Sequence, residues 1–263
     1  MSGIIRRRAR LAALAFLAGI MAPLLAESAL AAPARIILLR HGEKQNAWAL
    51  CPVGVERAQA LRAQYLGKDA QNSLFRPGET PKAFFAITLH SLELITPTAI
   101  SWAQPVITYA VAPGGDLEPP AEELNTRTRQ AAQDILADPR WTGATVVVAW
   151  EHDHIAKAPK TDATGKSDKP DKHAKPEAMA PVTFFDLLGL GRLPDVPTTW
   201  PGETYDYFWI IDFDPQTGTP TAFRMEKQAF TGTFANLPQN EWGAPNGLTA
   251  ASTCIVRGSA KKR

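Results

Sequence analysis

Neither sign of charge is in clear excess in this sequence: 28 Lys and Arg stand against 26 Asp and Glu, a formal net charge of +2 over 263 residues. A nucleic-acid footprint needs a basic surplus gathered on one face, and none is indicated. Cysteine is scarce. Cys51 and Cys254 allow one bridge at most, or two separate buried thiols. The five histidines show no HxxxH or HExxH spacing, so a metal held from one helix is not on offer. The apolar run Leu11–Leu25 covers 15 residues, short of the ~20 that a membrane-spanning helix needs.

What is present is ordinary for a folded domain. Hydrophobic residues make up 45% of the chain and charged residues 21%, which suits one globular unit with a sizeable core. The N-terminus reads as an export signal over residues 1–31. Arg6, Arg7, Arg8 and Arg10 precede the apolar run, and Ala29-Leu30-Ala31 forms a small-residue cleavage site. No lipobox cysteine is visible. The expectation is a periplasmic or secreted chain with no membrane attachment after cleavage. The folded domain would cover 32–257, with a basic tail over 258–263. In an oxidising compartment the two cysteines favour a bridge.

Apolar runs at Arg35–Leu39, Lys82–Thr88, Val106–Val111 and Thr145–Trp150 predict strands with both faces buried. Between them, Val55–Leu66, Leu92–Trp102 and Pro120–Leu136 have helical spacing, with Pro97 a complication in the second. Val55, Ala58, Leu61 and Tyr65 share one helical face, and Arg57 is read as a helix-surface or helix-packing residue. Strands of this kind alternating with helices indicate an α/β fold with a mostly parallel central sheet, covered on both sides. Tyr207–Phe213 and Thr221–Phe230 predict a closing antiparallel pair. Residues 156–181 interrupt the pattern with six lysines, four acidic residues, four prolines and His173. This composition buries too little to order itself, and it reads as a solvated insertion. Lying directly after His152, it also suits a lid whose lysines draw anions.

Two strand ends carry the chemistry. Ile36-Ile37-Leu38-Leu39 leads into Arg40-His41-Gly42-Glu43-Lys44, and Val146-Val147-Val148-Ala149-Trp150 leads into Glu151-His152-Asp153-His154. In open parallel sheets, ligands bind outside the carboxyl ends of the strands. If these strands are neighbours, His41 and His152 meet despite being 111 positions apart. Arginine supplies a planar, bidentate anion donor, and histidine supplies a nucleophile or acid–base group near neutral pH. A phosphate pocket worked by imidazole follows. His152-Asp153-His154 could also hold a metal, although alternate side chains of an extended segment point apart. Trp150, Trp200 and Trp209 are read as core, and His154 as support for the fold.

Leu39-Arg40-His41-Gly42-Glu43-Lys44 resembles the RHG signature of the histidine phosphatase superfamily, the phosphoglycerate mutase-like fold. Pro52-Val53-Gly54-Val55-Glu56-Arg57-Ala58 is similar to the turn and helix start that follow it. Trp150-Glu151-His152-Asp153-His154-Ile155 resembles the late histidine motif of small bacterial members, and Trp200-Pro201-Gly202-Glu203 with Phe208-Trp209 resembles their closing strand. The resemblance runs from about Arg35 to Phe230. It implies a three-layer α/β/α sandwich and a phosphomonoesterase acting on a small phosphate ester, without metal or other cofactor. It implies that His41 is the nucleophile that becomes phosphohistidine, that Arg40 holds the phosphoryl oxygens, and that His152 donates a further hydrogen bond. Asp153 is the first candidate for the general acid, with Glu43 and Glu151 as the others. Glu43 and His90 join Arg40 as candidate phosphate-binding residues.

One departure stands out. The family places another arginine after the second strand, and Thr88-Leu89-His90-Ser91-Leu92-Glu93-Leu94-Ile95-Thr96-Pro97 has none. His90 falls near that position and could substitute in part when protonated, more so below about pH 6.5. Arg76, Arg127 and Arg129 are the other arginines that could reach in. The alternative to an enzyme is a weak or inactive phosphate-binding member of the same fold.

Overall fold

A computed structural model describes residues 32–114, 118–159, 179–248 and 253–255. The expected signal (1–31), the basic tail (258–263) and residues 160–178 of the expected insertion lie outside the described residues.

The architecture is α/β, with six strands forming one mixed sheet in the order β3-β2-β4-β1-β5-β6. These are β1 Arg35–Arg40, β2 Pro81–Ala86, β3 Val106–Thr108, β4 Thr145–Trp150, β5 Tyr207–Asp214 and β6 Thr219–Lys227. β1, β4, β2 and β3 pair in parallel, while β5 runs antiparallel to β1 and β6 antiparallel to β5. Every residue of β1 and β4 is buried. The period-2 alternation of a strand sends Ile36 and Leu38 into one apolar cluster and Ile37 and Leu39 into another. A strand that feeds two cores has no polar face, which is why both runs are continuously apolar.

Five α-helices frame the sheet among the described residues: α1 Pro52–Leu61, α2 Leu89–Trp102, α3 Ala121–Ala137 and the single turns α4 His152–Ile155 and α5 Phe184–Leu187. α1 starts with Pro52 in its first turn, where the missing N–H costs nothing. It runs on into a π-helical turn, Arg62–Leu66. α2 starts three residues earlier than its spacing suggests, because the Thr88 side chain caps it by accepting from Ser91 N–H. Pro97 is accommodated inside that helix. The third strand is shorter than expected and ends at Thr108.

The expected buried face of α1 is corrected. Val55 is exposed, while Gly54 and Arg57 are buried with Ala58 and Leu61. Gly54 explains the rotation. A Cβ there would lie 2.4 Å from the Glu43 carbonyl oxygen, so only glycine lets α1 press this close to the segment after β1.

Cys51 and Cys254 form a disulfide across 203 positions of sequence. Beside it, Ile255 N–H donates to the Lys44 carbonyl at 2.7 Å, so the C-terminal segment is tied to the loop after β1. Opening the bridge releases a long loop in the unfolded chain. Replacing both cysteines with serine is expected to cost about 2–5 kcal/mol. Urea unfolding of the variant beside the oxidised protein measures it, and equal midpoints would contradict a structural role.

Candidate active site

The parallel pairing of β1 with β4 places Arg40 opposite Trp150. One step further, His41 N–H donates to the Trp150 carbonyl at 3.0 Å. Both motifs therefore leave the sheet side by side. The His41 and His152 rings lie 6.5 Å apart, edge to face. His90, on α2, brings a third ring within 5.9 Å of His41, and Tyr205, from the loop before β5, a fourth at 5.9 Å.

His41 is almost fully buried. Its Nδ1 lies 2.6 Å from the Gly42 carbonyl oxygen, an acceptor, so Nδ1 carries the proton and Nε2 the lone pair. Nε2 lies 3.1 Å from Glu151 Oε2 but makes no hydrogen bond among the described residues. Burial lowers the His41 pKa from 6.5 to about 3, with Lys44 and Arg40 pushing the same way and Glu151 opposing them. The ring is thus neutral at pH 7.

Arg40 ends β1 with its guanidinium anchored to the loop before β5. Nη1 donates to the carbonyls of Gly202 and Thr204, and the plane sits 3.7 Å above the Tyr205 ring. The loop that supplies these carbonyls is fixed by Trp200, whose backbone N–H donates to Ala156 O at 2.9 Å and whose indole donates to Thr204 O at 2.8 Å. Trp150, Trp200 and Trp209 are wholly buried.

A second cation is present that sequence reasoning did not assign. Lys44 is buried, and its Nζ donates to Glu151 Oε1 at 3.1 Å and to the exposed Glu118 at 3.3 Å. The Glu151 carboxylate therefore bridges His41 Nε2 and Lys44 Nζ. Burial would push Glu151 up, but the His41 ring and the Lys44 ammonium hold it well below the usual carboxylate range. With the His41 ring neutral, Lys44 is the neighbour whose hydrogen bond keeps Glu151 ionised. The site thus gathers Arg40 and Lys44 as cations around the buried Glu151, with the exposed Glu118 as a further anion on Lys44, and the two cations suit an anionic ligand. The signal available in the sequence was a charged residue beside each motif histidine, at the end of a wholly buried strand, where charge needs a partner.

Two of the expected phosphate contacts, Glu43 and His90, are corrected. Glu43 is not a phosphate contact. It is fully buried in a bidentate pair with Arg57, at 3.0 Å from Nε and 2.6 Å from Nη2. Burial works against the Arg57 charge, but Glu43 more than offsets it and raises the pKa. A buried carboxylate so engaged is structural. His90 reaches the site but does not replace an arginine: its Nε2 donates to the Asn46 carbonyl at 2.8 Å, and burial, then Lys44, lowers its pKa. Asp153 is part-exposed and turned to Lys157 at 2.9 Å and His152 Nε2 at 3.2 Å, while Glu151 is the carboxylate at His41. Arg76 pairs with Asp212 and Arg127 with Gln130, both exposed.

His152-Asp153-His154 does not converge on one ion, because His154 Nε2 turns to Asn125 Oδ1 at 3.2 Å. His41, Glu151 and His152 do present ligand atoms within 4.8 Å of one another. Two buried cations beside a single carboxylate disfavour a metal there. No known protein-family model matches this chain, and no curated protein matches it either.

The neutral, buried His41 makes acid destabilising. Its folded pKa lies below the ordinary 6.5, so the unfolded chain takes up a proton that the folded chain refuses. Stability is full above about pH 6.5 and is lost as the pH falls towards 3. The low pKa of Glu151 acts in the same direction below 4.5. Between pH 7 and pH 4 a loss of roughly 2–4 kcal/mol from His41 is expected. Urea midpoints measured over that range test this, with His41→Asn giving a shallower decline. Equal declines in the two proteins would contradict the assignment.

Proposed function

We propose that this chain is a phosphomonoesterase acting through a phosphohistidine intermediate on His41, with a phosphoglycerate mutase-like, three-layer α/β/α fold. The observation that carries the reading is the fixed tautomer of His41. Its Nδ1 proton is committed to Gly42 O, so the lone pair of Nε2 faces the Glu151 carboxylate, with Lys44 on the other carboxylate oxygen and the His152 ring nearby. A nucleophile needs an unprotonated atom at the reacting position, and burial keeps this one unprotonated across the physiological range.

In the proposed reaction, Nε2 attacks the phosphorus of a small phosphate ester and the bond from phosphorus to the ester oxygen breaks. Arg40 and Lys44 draw off the charge on the phosphoryl oxygens in a buried setting where that effect is strong. The leaving alkoxide takes a proton. We assign that proton to Asp153, which lies beside His152 and is open enough, at 37% side-chain exposure, to exchange with solvent. Water then breaks the P–N bond, releasing phosphate and restoring the ring. Lys44 answers the missing family arginine with a point charge rather than a planar fork, so it holds the oxygens with less directional control. The Cys51–Cys254 bridge suits the oxidising compartment in which we place the protein, periplasmic or outside the cell.

A second reading is favoured by one observation: the resting pocket is occupied by the protein's own carboxylate, as expected of a weak or inactive phosphate binder. Phosphate release from p-nitrophenyl phosphate separates the two. The wild-type protein is expected to turn over and His41→Ala to lose activity by at least about 10³-fold. Absence of turnover above the His41→Ala background between pH 4 and 8 would sink the enzyme reading. For the acid, Asp153→Asn is expected to slow alkyl phosphates by about 10²-fold or more while sparing p-nitrophenyl phosphate, whose leaving group needs little protonation. Equal loss on both substrates would contradict the role given to Asp153.

A further inference from the structure

Glu151 sits where an incoming anion has to sit. One carboxylate oxygen lies 3.1 Å from His41 Nε2 and the other 3.1 Å from Lys44 Nζ. A carboxylate and one face of a phosphoryl group both present paired oxygens to the same donors. The two contacts differ in kind. The bond to Lys44 is a charge-assisted hydrogen bond. The contact with His41 is a 3.1 Å approach to a ring that burial keeps neutral. Glu151 has one more neighbour on its Oε1 side, the Thr88 hydroxyl at a long 3.5 Å. It is the residue that precedes the single turn α4, and its side chain, though buried, keeps 10% exposure.

We propose that Glu151 is an internal plug. Its carboxylate occupies the phosphoryl position in the resting protein, and a phosphate group displaces it and takes over Lys44. The swap exchanges one anion for another at the same cation. An empty pocket would instead leave the buried Lys44 with the solvent-exposed Glu118 as its remaining acidic partner among the described residues, which is costly. The plug therefore keeps the nucleophile's surroundings neutralised between turnovers, at the expense of affinity: every phosphate that binds competes with a tethered carboxylate. The proposal rests on the phosphate pocket described above, and it stands independently of whether bound ester is turned over.

Its signature is a gain of binding on removing a charged residue from the pocket. Binding of inorganic phosphate and of orthovanadate to the full chain is measured by calorimetry at pH 7, for wild type, Glu151→Gln and Glu151→Ala, with thermal unfolding to confirm that each variant is folded. Both variants are expected to bind about tenfold tighter or better, since the competing anion and its repulsion are gone. Lys44→Met is expected to weaken binding by about tenfold or more. Folded Glu151 variants that bind phosphate no tighter than wild type would overturn the plug. Absence of binding by all variants would overturn it together with the pocket. Tighter binding without turnover would support the plug and sink only the enzyme reading. Should neither Glu151 variant fold, a structure of the wild-type protein with vanadate decides. Vanadate oxygens on Lys44 Nζ with Glu151 swung aside support the proposal, and Glu151 unmoved at 3.1 Å from Nε2 contradicts it.

Discussion

The pairing of β1 with β4 is the constraint from which the rest follows. Six consecutive residues of each strand are held in parallel register, Arg35 to Thr145 through Arg40 to Trp150, and the ladder ends with His41 donating to the Trp150 carbonyl. A shift by one residue would reverse every side chain between the two apolar clusters, so the register is strongly enforced. Because the strands are parallel, both chains leave at the same end of the sheet. Arg40, His41, Glu151 and His152 are brought together by main-chain geometry before any of their side chains interact. The loop before β5 then closes the site by placing two carbonyls and the Tyr205 ring on Arg40.

Two buried ion pairs lie beside the site. Glu43 and Arg57 neutralise each other behind the site and hold α1 against the segment after β1, a close approach that Gly54 permits. Lys44 and Glu151 form the other pair, beside the His41 ring. Neighbours in sequence thus face opposite ways: Glu43 into structure, Lys44 into the pocket. The Lys44 backbone is pinned by Ile255 N–H and its bridge to Leu50, with the Cys51–Cys254 disulfide alongside. This fixed backbone gives a flexible lysine side chain a defined starting point.

Much of this was legible in the chain. The apolar runs before Arg40 and Glu151 announce strands buried on both faces, and two such strands with histidines at their ends suggest a shared site. Side-chain direction beyond the strand ends was not legible. Glu43 has the residue type of a site carboxylate, but its burial against Arg57 depends on how tightly α1 packs, and periodicity alone placed Val55 on the inner face instead. His90 falls in the right place, yet its protonation depends on burial and on Lys44, neither visible in a linear string. Asp153 and Glu151 flank the same histidine, and only the turn into α4 decides which of them faces His41. Tyr205 comes from an irregular loop with no period to read.

The central claim is that His41 Nε2 becomes covalently phosphorylated. The most direct measurement mixes the protein with a phosphate ester, denatures it within the turnover time at alkaline pH, and maps added phosphoryl groups by peptide mass. An acid-labile phosphoryl group on the peptide that carries His41, absent from His41→Ala, is the result predicted. Hydrolysis of the ester without a phosphorylated His41 peptide, or a phosphopeptide that persists in His41→Ala, would contradict it.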